Sequence, residues 1–133
     1  MSTAFLSLSF GHRYEFTAEV AAIRELLADV GYTLTVFVEK YSFTPHQAPE
    51  MMRTACAEIT AADLLIAETT YKEIGVGVEV GYAAALGKPI IYIRRAGAEL
   101  STTVGGLATH TIIYQTSADL CAQLLPILKL QLN

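Results

Sequence analysis

The chain has 133 residues, 53% of them hydrophobic and 17% charged, with 13 acidic against 9 basic side chains and a net charge of −4. That is long enough for one domain with a buried core and too apolar for a disordered tail. The basic residues are scattered, with Arg94-Arg95 the only adjacent pair, which excludes a basic face for a nucleic-acid duplex.

Apolar runs are broken by charges and glycines, so no membrane span is expected. Met1-Ser2-Thr3-Ala4 carries no basic stretch or cleavable signal pattern, and Cys56 and Cys121 read as reduced core thiols. A cytoplasmic protein is expected on both grounds. The three histidines, His12, His46 and His110, lack metal-ligand spacing, and no metal or cofactor is expected.

In chain order, Ala4 to Phe10 alternates as a strand and ends at Gly11. Phe16, Val20, Ile23, Leu27 and Val30 recur on one helix face, and Gly31 stops the helix. Tyr32 to Val38 is β-branched and aromatic, a second strand. Pro49 suits the first residue of a helix running to about Ala62. Asp63 to Glu68 is a short buried strand, Thr69 to Gly77 a loop, and Val78 to Leu86 an Ala-rich helix closed by Gly87. Lys88 to Ile93 and His110 to Tyr114 are the last strands, joined by a Gly-containing loop. Ser117 caps a final helix that Pro126 kinks or ends.

Strands alternating with helices of this length predict an α/β fold with a five-stranded parallel sheet covered on both faces. Right-handed crossovers favour a flavodoxin-like (Rossmann-like) three-layer sandwich, a single domain over residues 1–133. In such sheets ligands bind beyond the carboxyl ends of the strands. Ser9 to Arg13, Glu39 to Phe43, Glu68 to Glu79 and Arg94 to Ser101 fall there.

Within that set the segment from Glu68 to Tyr82 carries the most chemistry. Gly75 and Gly77 predict a tight approach of strand and helix that lets a ligand come close to the backbone. Glu79 then falls in the helix's first turn, where the dipole and free N–H groups favour its charged form. An ionised carboxylate on a cleft floor can attack a sugar's anomeric carbon or pair with a cation; an ordinary first-turn acid has the same placement. Glu68 ends its strand and can hydrogen-bond a ligand or serve the fold. Tyr41 and Phe43 can stack on a base or on each other. Leu125, Ile127, Leu128, Leu130 and Leu132 form an apolar C-terminus expected in the core or a subunit interface.

Ala62-Asp63-Leu64-Leu65-Ile66-Ala67-Glu68, Gly75-Val76-Gly77-Val78-Glu79-Val80-Gly81-Tyr82-Ala83 and Gly87-Lys88-Pro89 together resemble the nucleoside 2-deoxyribosyltransferase superfamily. That group includes the transferases, the deoxynucleoside 5′-monophosphate N-glycosidases and the hydroxymethyl-CMP hydrolases. The resemblance implies that Glu79 attacks C1′ of the sugar in a nucleoside or nucleotide and forms a glycosyl-enzyme, without a cofactor. It also implies a homodimer or higher oligomer whose neighbours complete each other's sites.

Other positions carry over unevenly. Glu73 stands where the transferases have an acid facing the sugar's 5′ side and the monophosphate hydrolases a serine, so it argues for an unphosphorylated nucleoside or a different 5′ group. Ser9, Gly11 and Arg13 follow the first strand, where phosphate-binding relatives have a Gly-Ser-x-Arg-like turn. Ser101 resembles the serine that a neighbouring subunit lends to phosphate binding. Two positions depart from the family: its general acid corresponds to Ala55 and its first-strand tyrosine to Phe5. Glu58, on the same helix as Ala55, is the nearest candidate acid.

These departures leave three readings open. One is an N-glycosidase or transferase with Glu79 as nucleophile. The second is a non-catalytic nucleotide or nucleoside sensor that has lost the acid. The third is a TIR-like NAD glycohydrolase, since Phe5-Leu6-Ser7-Leu8-Ser9 resembles the start of TIR domains.

Overall fold

The structure, a computed structural model, describes residues 2–132 except for the side chain of Leu132. One five-stranded sheet has the order β2-β1-β3-β4-β5, with every neighbouring pair parallel. Its strands are β1 (Ser2–Ser7), β2 (Tyr32–Val36), β3 (Leu64–Glu68), β4 (Ile90–Arg95) and β5 (His110–Tyr114). The helices are α1 (Thr17–Asp29), α2 (Phe37–Lys40), α3 (Ala48–Ala61), α4 (Ile74–Ala85), α5 (Thr102–Leu107) and α6 (Ser117–Leu132). This is the flavodoxin-like order, and the switch in strand order between β1 and β3 opens the crevice where such folds bind ligands.

Period-two alternation divides the strand residues between two cores. Leu6, Ile66, Ile91 and Ile93 pack with Ile23 and Leu27 of α1 and with Leu120, Leu124 and Leu128 of α6. Phe5, Leu65, Ala67, Ile90 and Tyr92 pack with Ala55 and Ile59 of α3 and with Val80 and Ala83 of α4. Burying each of these large side chains contributes roughly 1.5–3 kcal/mol. Among the described residues, no helix is long and apolar enough to cross a membrane.

Several boundaries differ from the sequence expectation, each for a physical reason. β1 ends at Ser7 rather than Phe10, and its pairing with β2 runs only to Leu6–Val36. Without a partner beyond that point, Phe37 and Val38 leave the edge strand and coil into α2, which turns Phe37 into the second core. α4 starts at Ile74, not Val78, so Gly75 and Gly77 are helical rather than looped; packing of Val76 and Val80 outweighs the low helix propensity of glycine. The loop before β5 contains α5, whose Gly105 lies against the Tyr92 ring, where a Cβ would sit 3.4 Å from it. α6 runs through Pro126 instead of breaking, held by fully buried Leu120, Leu124 and Leu128. It is capped by Thr116, whose hydroxyl accepts from the Asp119 amide at 3.0 Å, and not by Ser117. In the apolar C-terminus, Leu128 is core, Ile127 packs against it and Leu130 is exposed, while the Leu132 side chain lies outside the described residues.

Candidate functional site

Beyond the ends of β1 and β2, a cavity of about 680 Å³ opens between α2, α3 and the start of α4. Leu8, Phe37, Val38, Tyr41, Phe43, Met51, Met52 and Ala55 give it an apolar wall; Glu73, Gly75, Val76 and Glu79 supply the side made by α4. Phe37, Tyr41 and Phe43 pack on one another with ring centroids 5.0 to 6.1 Å apart. Tyr41 and Phe43 thus pack locally, one of the two expectations for them, and also line the cavity.

Glu79 is the charged group set deepest there. Because α4 begins early, Glu79 lies in its second turn rather than its first. The helix terminus therefore does not hold it ionised, as the sequence led one to expect. Burial dominates instead and pushes its carboxyl up to about 7, against a smaller downward pull from the Ser7 hydroxyl. That hydroxyl donates to Glu79 Oε1 at 2.5 Å, and Oε2 has no partner among the described residues. Ser7 is only 1% exposed, so its hydroxyl depends on this bond. The sequence reading missed Ser7. The available signal is parity: Ser7 shares the strand face of Phe5, which puts a hydroxyl at the ligand-binding end of that face.

Glu73 stands at the N-terminal boundary of α4 without capping it, and its Oε1 accepts from the Ser9 hydroxyl at 2.6 Å. Ser9 in turn accepts from the His12 amide at 3.2 Å, so it ties the turn after β1 to the start of α4. Gly75 borders the main cavity, and Gly77 a neighbouring cavity of about 440 Å³ that also meets Glu73 and Ser101. The expected tight strand–helix approach is absent, since a Cβ on either glycine would meet nothing within 4 Å. What the glycines leave open is space for a ligand.

The other candidates lie elsewhere. Arg13 lines an adjoining cleft of about 490 Å³, which shares Leu8, Phe10, Val38, Tyr41 and Ser42 with the main cavity. Its guanidinium is 3.9 Å from the Phe10 ring centroid and donates to the Phe10 carbonyl at 2.6 Å. Gly11 is an exposed turn residue with open space around it. Ser101 is buried and caps α5, accepting from the Val104 amide at 3.3 Å, while its own amide donates to the Tyr92 hydroxyl. His12 stacks on Tyr71 and bonds Glu15.

Glu68 does not line the cavity. It is 2% exposed, accepts from the Thr70 amide and hydroxyl, and lies 2.6 Å from the Tyr114 hydroxyl. That hydroxyl is also 3.0 Å from Glu19, which pairs with Arg95 at 2.7 Å. Burial raises the Glu68 carboxyl above the usual carboxylate range. Glu58 is likewise occupied: it accepts from Tyr41 at 2.8 Å and from Lys40 at 3.1 Å, outside the cavity wall on which Ala55 lies. Phe5 is fully buried against Phe37. Among the described residues, no group of three or more His, Cys, Asp or Glu side chains could hold a metal ion.

Comparison with known proteins agrees with this architecture. A mouse protein named 5-hydroxymethyl-dUMP N-hydrolase is 44% identical over 54 residues, a stretch covering 39% of this chain and 31% of the mouse protein. The matched part is thus about a third of that relative's length. The solved CMP N-glycosidase of Clostridium botulinum superposes with a TM-score of 0.70 at 21% identity, covering 92% of this chain and 97% of its own. The 2-deoxyribosyltransferase of Bacillus psychrosaccharolyticus superposes with a TM-score of 0.69 at 17% identity, covering 90% of each. At such identities the two structures bear on the fold. The sequence profile described as nucleoside 2-deoxyribosyltransferase matches residues 5–121, a span that includes Phe5 to Ser9, Ala55 and Glu79. The chain belongs to the nucleoside 2-deoxyribosyltransferase family.

Proposed function

We propose that this protein cleaves or transfers the N-glycosidic bond of a nucleoside or its 5′-monophosphate, with Glu79 as the nucleophile. The observation that carries the reading is the Glu79 carboxylate itself, half-buried beside a cavity of about 680 Å³ with Oε1 tethered by Ser7. Desolvation makes the ionised oxygen a stronger nucleophile, and the tether leaves Oε2 as the atom that attacks C1′. The glycosyl ester then passes the sugar to water or to another base. Glu73, joined to Ser9 at 2.6 Å, favours a free 5′-hydroxyl, because a carboxylate repels a phosphate. Gly75, which borders that cavity, gives the sugar access to the backbone of α4.

Incubation with a 2′-fluoro-arabinosyl nucleoside, which slows release of the sugar, tests the covalent step. A mass increase of one fluorosugar on the Glu79 peptide is the expected result; an unmodified protein that still releases base removes the nucleophile assignment.

A sensor that binds without turnover is the second reading, favoured by Ala55 at the position of the family's acid. For the assembly we propose a homodimer or larger homo-oligomer. Ile74 and Val78 of α4, Leu100 beside α5 and Leu107 within it are exposed apolar residues, 87%, 48%, 51% and 47% accessible, which a second copy would cover. Ser101 adjoins that surface in sequence. We place the protein in the cytoplasm, in keeping with the free thiols Cys56 and Cys121.

A further inference from the structure

The N-glycosidic reading leaves open what allows the base to depart. A neutral base takes the bonding electron pair as an anion unless a group protonates it, and such an acid contributes about 10²–10⁴-fold to rate. The wall built by α2, the following loop and α3 holds no such acid. Its residues are Phe37, Val38, Tyr41, Ser42, Phe43, Met51, Met52 and Ala55. The Tyr41 hydroxyl is committed to Glu58 at 2.8 Å, and the Ser42 hydroxyl is too weak an acid for the task.

The same cavity has an uneven charge. Its only ionisable acids and bases, apart from Tyr41, are the carboxylic acids Glu73 and Glu79; no lysine, arginine or histidine lines it among the described residues. The nearby cations border the adjoining cleft and are engaged, Lys40 with Glu58 at 3.1 Å and Arg13 with the Phe10 carbonyl at 2.6 Å. The aromatic cluster of Phe37, Tyr41 and Phe43 lines the same wall, and aromatic rings attract cations electrostatically. An absent acid, a negative lining and an aromatic wall are three separate features, and they favour one kind of leaving group.

We propose that the cavity selects nucleosides or nucleotides whose base carries a fixed positive charge, as in N-ribosyl pyridinium compounds and N7-alkylated purines. This rests on the Glu79 reading and extends it to a substrate class. In such a substrate the C1′–N bond breaks with its electron pair moving onto the base, which cancels the positive charge. No proton is needed. Glu79 Oε2 forms the new bond to C1′. Water then attacks C1′, the ester bond breaks with its pair returning to the carboxylate, and the proton lost from water goes to solvent. The sum is cationic nucleoside plus water giving sugar, neutral base and a proton. Ala55 is then a specificity-determining position: an acid there would serve neutral bases and would add a third carboxyl to the lining.

Matched pairs test this directly. Base release is measured for nicotinamide riboside against its uncharged 1,4-dihydro form, and for 7-methylguanosine and its 2′-deoxy analogue against the unmethylated compounds. Glu79→Gln run alongside subtracts spontaneous cleavage. The expected result is Glu79-dependent release at least about 100-fold faster from the charged member of at least one pair. In Ala55→Asp, provided it folds, the ratio narrows because the neutral member accelerates. Glu79-dependent release that is as fast from the neutral members overturns the charge preference and leaves the N-glycosidic function standing. No release from any member overturns this inference, and Glu79-dependent release from another uncharged deoxynucleoside or its 5′-monophosphate would then keep the N-glycosidic function standing without it.

Discussion

Ser7, the last residue of β1, donates its hydroxyl to Glu79 Oε1 at 2.5 Å, joining the end of a central strand to the second turn of α4. The bond orients one oxygen of a half-buried carboxylate and partly offsets the desolvation that raises its pKa to about 7.

The pH dependence follows from that balance. A nucleophilic Glu79 works only when ionised, so kcat/KM for base release rises with pH through an apparent pKa near 7 in the free enzyme. In Ser7→Ala the bond that lowers the pKa is gone, and the acidic limb moves to higher pH. Activity at pH 6.5 then falls further than activity at pH 8.5. Equal losses at both values would make Ser7 merely structural.

Stability responds in the opposite sense. Burial raises the folded-state pKa of Glu79 to about 7 from the ordinary 4.5. Its protonated form therefore favours the fold below about pH 4.5, and that contribution is lost as pH rises through 7. At pH 8 the ionised group costs on the order of 3 kcal/mol. Glu79→Gln removes the charge, so it is expected to be more stable than wild type by about 1–3 kcal/mol at pH 8 and nearly equal at pH 4.5. Urea unfolding at the two pH values measures the difference.

Glu68 separates fold from chemistry. Its carboxyl and that of Glu19 meet at the Tyr114 hydroxyl, at 2.6 and 3.0 Å, away from the main cavity. Tyr114→Phe leaves buried polar atoms without that partner and is expected to lower stability by about 1–3 kcal/mol. Below its own melting range it should retain kcat for base release within a few-fold. A stable Tyr114→Phe protein with base release reduced a hundredfold would return Glu68 to the site.

Assembly is testable in the same way. A charge placed on the exposed apolar surface, as in Leu100→Glu, is expected to shift the protein to smaller species in light scattering at micromolar concentration. A wild-type protein that is monomeric at every concentration contradicts the oligomer proposal.

Much of the fold was legible in the sequence because parallel strands buried on both faces leave continuous apolar runs, as in Leu64 to Ala67 and Ile90 to Ile93. The misread elements share a cause. Phe37 and Val38 have strand propensity, yet β2 has lost its partner there; Gly75, Gly77, Gly105 and Gly106 read as loop, yet tertiary packing holds them in α4 and α5. That four-residue error in the start of α4 reversed the electrostatics of Glu79, from a charge favoured by a helix end to one opposed by burial. Glu79, Glu73 and Gly75 do line the main cavity, because their spacing survives the change. Ser7 was not legible, and for Glu68 and Glu58 the sequence left the role open, since it depends on contacts between residues distant in the chain.

The most direct measurement is chromatographic base release from deoxynucleosides, deoxynucleoside 5′-monophosphates and NAD, with wild type and Glu79→Gln in parallel. The expected result is release by the wild type from at least one substrate that falls by at least about 10³-fold in the variant. Release that persists unchanged in a folded Glu79→Gln protein would contradict Glu79 as the nucleophile.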